Sequence, residues 1–160
     1  MNRRDFNATM FGGLAASALP TRWPFVATPQ ADLRVNDARI NAHLVALAEF
    51  GKNPQGGVSR VAYSDFDKAA RAVVMNWMRE AKLDPVIDFA GNIIGRRRGM
   101  DASLKPILFG SHIDSVPEGG NYDGNVGSVA AIEVAQTMAE KTIATRHPLE
   151  IVVWQNEEGG

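Results

Sequence analysis

Cysteine is absent from the 160-residue chain. That excludes a disulfide scaffold, thiolate zinc sites, thiol nucleophiles and iron–sulfur clusters together. Histidine is scarce, with three in the whole sequence, so a catalytic metal would have to be held largely by carboxylates. Neither sign of charge is in excess: 17 basic and 18 acidic residues leave a formal net charge of −1. The overall basic signature of a nucleic-acid or anionic-membrane binder is therefore missing. No apolar run is long enough for a permanent membrane span. What is present is a globular composition, 45% hydrophobic and 22% charged, at a length that suits one domain and not two.

The first thirty residues stand apart. Arg3-Arg4-Asp5-Phe6 precedes a weakly apolar stretch at residues 8–19 with small residues at Ala16-Ser17-Ala18, the order of an export signal. The string resembles a twin-arginine signal, with Asn7 where that motif carries an apolar residue. Pro20, Pro24 and Pro29 make the following residues a linker. If the signal is used, the expected location is periplasmic or extracytoplasmic, with cleavage between Ala18 and Ala27; otherwise it is cytoplasmic.

In the body, Asn36 or Asp37 caps a helix with the stripe Ile40, Leu44, Leu47 and Ala48, stopped at Gly51. Ser64-Asp-Phe-Asp67 has the form of a capping box and opens a second helix with Phe66, Ala70, Val73, Trp77 and Ala81 on one face, ending near Leu83 before Pro85. Residues 86–89 and Ile93-Ile94 flank Ala90-Gly91-Asn92, a hairpin signal. The following Arg96-Arg97-Arg98 reads as a solvated strand end, with a specific anion site as the alternative. Residues 106–110 and 149–154 are continuous apolar runs, expected as strands buried on both faces of a parallel sheet. Between them, Val129, Ile132, Ala135 and Met138 follow a helical period after Gly124. Strand, helix and strand at this length make a βαβ unit, so the body is α/β.

The chemistry-bearing residues lie just past the two apolar runs, at the sheet edge where open α/β folds gather ligands. Gly110-Ser-His112-Ile-Asp114 follows the first, leading to Gly119-Gly-Asn-Tyr-Asp123-Gly124; Asn156-Glu157-Glu158-Gly159 follows the second. His112 can bind a metal through one ring nitrogen while the other donates to a carboxylate, and Asp114 is the natural orienter. Asp123, between glycine-rich turns, can bridge two ions. Of the adjacent Glu157 and Glu158, one can ligate while the other accepts a proton from water. His43, in a helix pattern, and His147, in a polar loop, read as structural. Five such groups at one edge point to a metal hydrolase.

These strings, with Gly57-Val-Ser-Arg60 and Ala90-Gly-Asn92, resemble the N-carbamoyl-L-amino-acid hydrolase, allantoate amidohydrolase and β-ureidopropionase group of the dinuclear zinc aminoacylase and peptidase clan. The resemblance covers roughly residues 36–160. It implies the N-terminal part of a zinc-peptidase-like α/β catalytic domain, with a mostly parallel mixed sheet flanked by helices. It implies that His112, Asp123 and Glu158 are metal ligands, with Asp123 bridging, that Glu157 is the general acid/base and that Asp114 partners His112. Two divalent ions are implied, zinc first and manganese, cobalt or nickel as alternatives. The implied reaction is hydrolysis of a linear amide or ureido C–N bond in an N-carbamoyl amino acid or allantoate-like substrate by metal-activated water.

The family's two further metal-binding histidines and its inserted dimerisation domain fall after the Glu-Glu motif, and His43 and His147 do not match them. Residues 31–160 are thus expected to be a partial catalytic domain, inactive or nearly so alone. The parent is expected to be a homodimer acting on a small molecule, with no nucleic-acid partner and no stable membrane anchor. Two other readings remain: an aminoacylase or dipeptidase of the same clan, and a non-catalytic remnant, against which all five site positions keep their required residue types.

Overall fold

The computed structural model describes residues 33–159; the export signal and linker expected at residues 1–30 lie outside them. Among the described residues there are three helices and four strands, in the order α1 (Asp37–Ala48), α2 (Asp65–Glu80), β1 (Asp84–Ile87), β2 (Ile93–Arg97), β3 (Ile107–His112), α3 (Asn125–Glu140) and β4 (Leu149–Trp154). None of these helices is long and apolar enough to cross a membrane.

Local chemistry explains where the helices begin. Asn36 caps α1 by accepting from the Arg39 amide at 3.0 Å. Ser64 caps α2, its hydroxyl accepting from the Asp67 amide at 3.2 Å. The carboxylate returns its bond one residue further out than a capping box requires, to the Tyr63 amide at 2.9 Å. The buried face of α2 is also rotated from the expected one: Asp67, Ala70, Arg71, Val74, Trp77 and Met78 face inward, while Phe66 is exposed. The cause is polar burial. Asp67 and Arg71 are inside because they have hydrogen-bond partners there, and they draw the face round with them. The helix ends at Glu80, three residues before Leu83, and Lys82 takes a left-handed conformation (φ 60°) that turns the chain into β1.

The strands form one mixed sheet in the order β1-β2-β4-β3. β1–β2 and β2–β4 are antiparallel, and β3–β4 is parallel with Ile107 opposite Leu149 and His112 opposite Trp154. The β3–α3–β4 crossover confirms the βαβ unit. β4 is central and buried; β3 pairs on one side only, with Ile107 and Leu108 about half exposed. The expectation of two doubly covered strands therefore holds for β4 and fails for β3. The arginine run stands at a strand end as expected, Arg97 being the last residue of β2 and Arg96 and Arg98 exposed; Arg96 Nε pairs with Glu150 at 3.0 Å across to β4, and Arg97 donates to the Ile143 carbonyl.

The core packs α1, α2 and α3 on the sheet through Leu47, Val74, Met78, Val129, Ile132, Ile93, Ile151 and Val153. Gly95 permits the approach of α2, since a Cβ there would stand 2.9 Å from Met78 Sδ. His43 stacks on Trp77 with centroids 3.9 Å apart, and burial lowers its pKa, in keeping with a structural role. A clamp joins α1 to α3: Arg39 donates to Glu133 at 2.6 and 2.9 Å and to Glu140 at 2.7 Å. Burial alone would raise the Glu133 carboxyl. Hydrogen bonds from Arg39, the Asn36 amide and Thr137 outweigh it and hold the group below its usual value.

A carboxyl lowered on folding contributes stability above its unfolded pKa, about 4.5 here, and loses that contribution as pH falls through the folded value. Urea unfolding from pH 7 to pH 3 should therefore show an acid-side loss. In Glu133→Gln the neutral-pH stability should be lower and the acid-side loss smaller.

Candidate metal centre

The parallel register brings the ends of β3 and β4 side by side, so the segments that leave them share one edge. His112 is the last residue of β3 and is buried, 6% exposed. Its Nδ1 lies 3.1 Å from the Asp114 carbonyl, with the Asp114 carboxylate at 3.6 Å. A proton on Nδ1 is thus donated to the Asp114 main chain, which leaves Nε2 with a free lone pair. Nε2 faces Glu157 at 3.5 Å and Asp123 at 4.0 Å. Asp114 is almost wholly buried; its Oδ2 accepts from the Glu158 amide at 3.1 Å, and its Oδ1 has no hydrogen-bond partner. The orienter expected from sequence therefore acts on His112 chiefly through its backbone oxygen, while its carboxylate ties down the Glu157-Glu158 turn.

His112, Asp123 and Glu158 each offer a donor atom within 4.8 Å of the others. Asp123 is exposed and accepts from the Gly124 amide at 2.9 Å. Gly124 is required twice over: its φ is +62°, and a Cβ would fall 2.5 Å from the His112 ring. The residues fit a divalent cation on chemistry as well as position. An imidazole with one nitrogen free and two carboxylates suit zinc, manganese, cobalt or nickel, and the glycine keeps the space beside the ring open.

Several positioning residues were not identifiable from the sequence pattern. Arg60 is completely buried and donates to Ile113 O (2.6 Å), Leu47 O (2.6 Å), Phe50 O (3.0 Å) and Asn125 Oδ1 (2.9 Å). It thereby fastens the loop after His112 to the end of α1 and the start of α3. Its backbone exchanges bonds with Ser115, the Arg60 amide donating to Ser115 Oγ and the Ser115 amide to Arg60 O, both at 3.0 Å. Ser59 Oγ accepts from the Glu118 amide at 2.9 Å, and Val58 and Gly119 exchange a pair of main-chain bonds. The Gly57-Val-Ser-Arg60 string is thus the bed on which residues 113–119 lie. Asn92 does the same for the other strand: its Oδ1 accepts from the Gln155 amide at 3.0 Å while Asp88 holds its amide groups. Gln155 Nε2 in turn reaches Asp67 at 3.0 Å. The only sequence signal for these residues was their place in strings shared with a family. His147, by contrast, lies away from the centre, with Nδ1 against Lys105 O at 2.8 Å.

A mixed α/β sheet with an imidazole and carboxylates gathered past parallel strands is the architecture of the zinc-peptidase-like hydrolases, and residues 92–160 match Peptidase family M28. The likeness to one branch is more specific. An N-carbamoyl-L-amino acid amidohydrolase of Geobacillus stearothermophilus is 42% identical over 78% of this chain and 31% of its own length. An allantoate amidohydrolase of Bacillus subtilis is 35% identical over 75% of this chain and 29% of its own. The solved structure of a hydantoinase/carbamoylase family amidase from Burkholderia ambifaria superposes with a TM-score of 0.78 at 43% identity, covering 80% of this chain and 32% of that one. Across its described body the chain is related to the hydantoinase/carbamoylase amidases. It spans about a third of the length of these relatives.

Two substitutions separate holding the metal from holding the fold. Gly124→Ala should weaken zinc binding by about tenfold or more, read by competition with a chromophoric chelator, with circular dichroism unchanged. Arg60→Met strands four buried acceptors and should cost ~3 kcal/mol or more in urea unfolding.

Proposed function

We propose that the protein is, or forms part of, a metal-dependent amidohydrolase. Its reaction is hydrolysis of a linear amide or ureido C–N bond in an N-carbamoyl amino acid or an allantoate-like ureido acid. The observation that carries this reading is the convergence of donor atoms from His112, Asp123 and Glu158 within 4.8 Å of one another, with Glu157 3.5 Å from His112 Nε2. The likeness to amidohydrolases over most of the chain supports the substrate class.

In this reading His112, Asp123 and Glu158 would be the chain's ligands to two divalent ions, zinc in preference to manganese, cobalt or nickel, with Asp123 as the shared ligand. When bound, the ions supply Lewis-acid activation of water and of the scissile carbonyl. The chain's own residues do the rest. Asp114 fixes the His112 tautomer through Nδ1. Glu157 is half exposed and is not needed as a ligand. It takes a proton from the attacking water and returns it to the departing nitrogen, a role that requires a carboxylate free to cycle between its two states. Holding Glu158 as an anion while Glu157 cycles separates the tasks of two adjacent, like-charged groups. The native protein is read as a homodimer exported by its twin-arginine-like signal.

The native protein, loaded with zinc or manganese, should hydrolyse N-carbamoyl-L-amino acids or allantoate in preference to dipeptides and N-acyl amino acids. Glu157→Gln should lower kcat by ~10²–10⁴-fold with the metal content retained. Preferential cleavage of dipeptides would move the protein to the peptidase side of the fold. Full activity in Glu157→Gln would remove Glu157 from the chemistry.

A further inference from the structure

The opposite end of the sheet carries a second concentration of charge that this chemistry does not use. β2 ends there and β4 begins there, Arg96 facing Glu150 and Arg97 facing Leu149. Along six-residue β4, that end lies about 17 Å from the metal-centre edge. Two depressions adjoin, of ≈ 500 and ≈ 600 Å³, and share Asp84, Arg96, Arg97 and Arg98 in their walls. Arg79 and Lys82, from the end of α2 and the left-handed residue after it, line the second. Five cationic side chains thus surround the pair against two acids, Asp84 and Glu150, on a chain whose formal net charge is −1.

The cations are not all spent on internal partners. Arg96 gives Nε to Glu150. Arg97 gives one Nη to the Ile143 carbonyl, while its other, Nη1, is buried with no hydrogen-bond partner. A buried guanidinium nitrogen without an acceptor is costly, so the Arg97 head group is not fully satisfied by the chain's own partners. The wall around it is built, not loose. Gly99 lies so close to the chain at His147-Pro148 that a Cβ would come within 2.3 Å of it. The Met100 and Asp101 amides bond Thr145 O at 2.8 Å and Arg146 O at 3.1 Å. Leu104, Pro106 and Pro148 add an apolar side to the first depression.

We propose that this end of the sheet is a binding site for a small phosphate-bearing polyanion, distinct from the metal centre. Arg97 and Arg98 are its principal contacts, and Arg79 and Lys82 supply the surrounding field. Guanidinium groups suit phosphoryl oxygens through paired N–H donors. The apolar wall accommodates an organic group carried by the phosphate.

The test is calorimetric titration of inorganic pyrophosphate into the full 160-residue chain, metal-free and at low ionic strength. Saturable binding is expected, weakening as salt rises. Arg97→Gln and Arg98→Gln should each reduce affinity by about tenfold; Arg98 is exposed, so its variant keeps the fold. His112→Ala should bind pyrophosphate as the unaltered chain does. Absence of saturable heat up to about 5 mM ligand would overturn the proposal. So would equal affinity in Arg98→Gln, or loss of binding in His112→Ala with Arg98→Gln unaffected.

Discussion

Everything at the metal-centre edge rests on one buried cation. Arg60 is fully enclosed, yet its side chain is neutralised by no carboxylate; it spends its donors on three main-chain carbonyls and one amide oxygen. Burial lowers its pKa, and the more distant Asp67 and Asp114 oppose that only in part. A charge in this position is tolerable because every guanidinium nitrogen finds an acceptor. The same bonds fix three segments to one another: the end of α1, the loop after β3 and the start of α3. Removal of the guanidinium would leave carbonyls unpaired in the interior and free the loop that carries Asp114 and Asp123. Structure and site therefore share one fastening.

The second strand exit has its own anchor, weaker and more distributed. Asn92 and Asp67 hold Gln155 from two sides, and Asp114 holds the Glu158 amide. Asp114 belongs to the first exit, so its carboxylate links the two. The histidine and the paired glutamates come from strands that are neighbours in the sheet but separated by a whole helix in sequence. Bringing their donor atoms close together depends on these polar bonds more than on the apolar core, which sets the sheet but not the turns beyond it.

Much of this arrangement was legible in the sequence. Asn36 and Ser64 announced their helices because a side-chain oxygen ahead of an apolar period has few other uses. The β3–α3–β4 unit followed from two apolar runs and the helical spacing between them. The gathering of His112, Asp123 and the Glu157-Glu158 pair followed from their shared position past those runs, whereas the choice of Glu158 over Glu157 as ligand came only from the family resemblance. What was not legible has a common physical cause. Hydropathy assigns polar residues to the surface, so the inward turn of Asp67 and Arg71 moved the buried face of α2 away from Phe66 and Val73. The same bias hid Arg60, whose acceptors lie 10, 13, 53 and 65 residues away. In β3 the apolar side chains of Ile107 and Leu108 record an affinity for cover without specifying what lies beside the strand.

The partners of Arg60 are mostly carbonyl oxygens, and a carbonyl is the same whichever residue bears it. Leu47, Phe50 and Ile113 are free to drift to other side chains without disturbing the bonds their backbones accept, whereas the arginine has no equivalent substitute. Across a lineage, such a contact would leave one invariant column and no correlated changes at its partners. Methods that infer proximity from paired substitutions would be blind to the contact that holds the metal-centre loop in place.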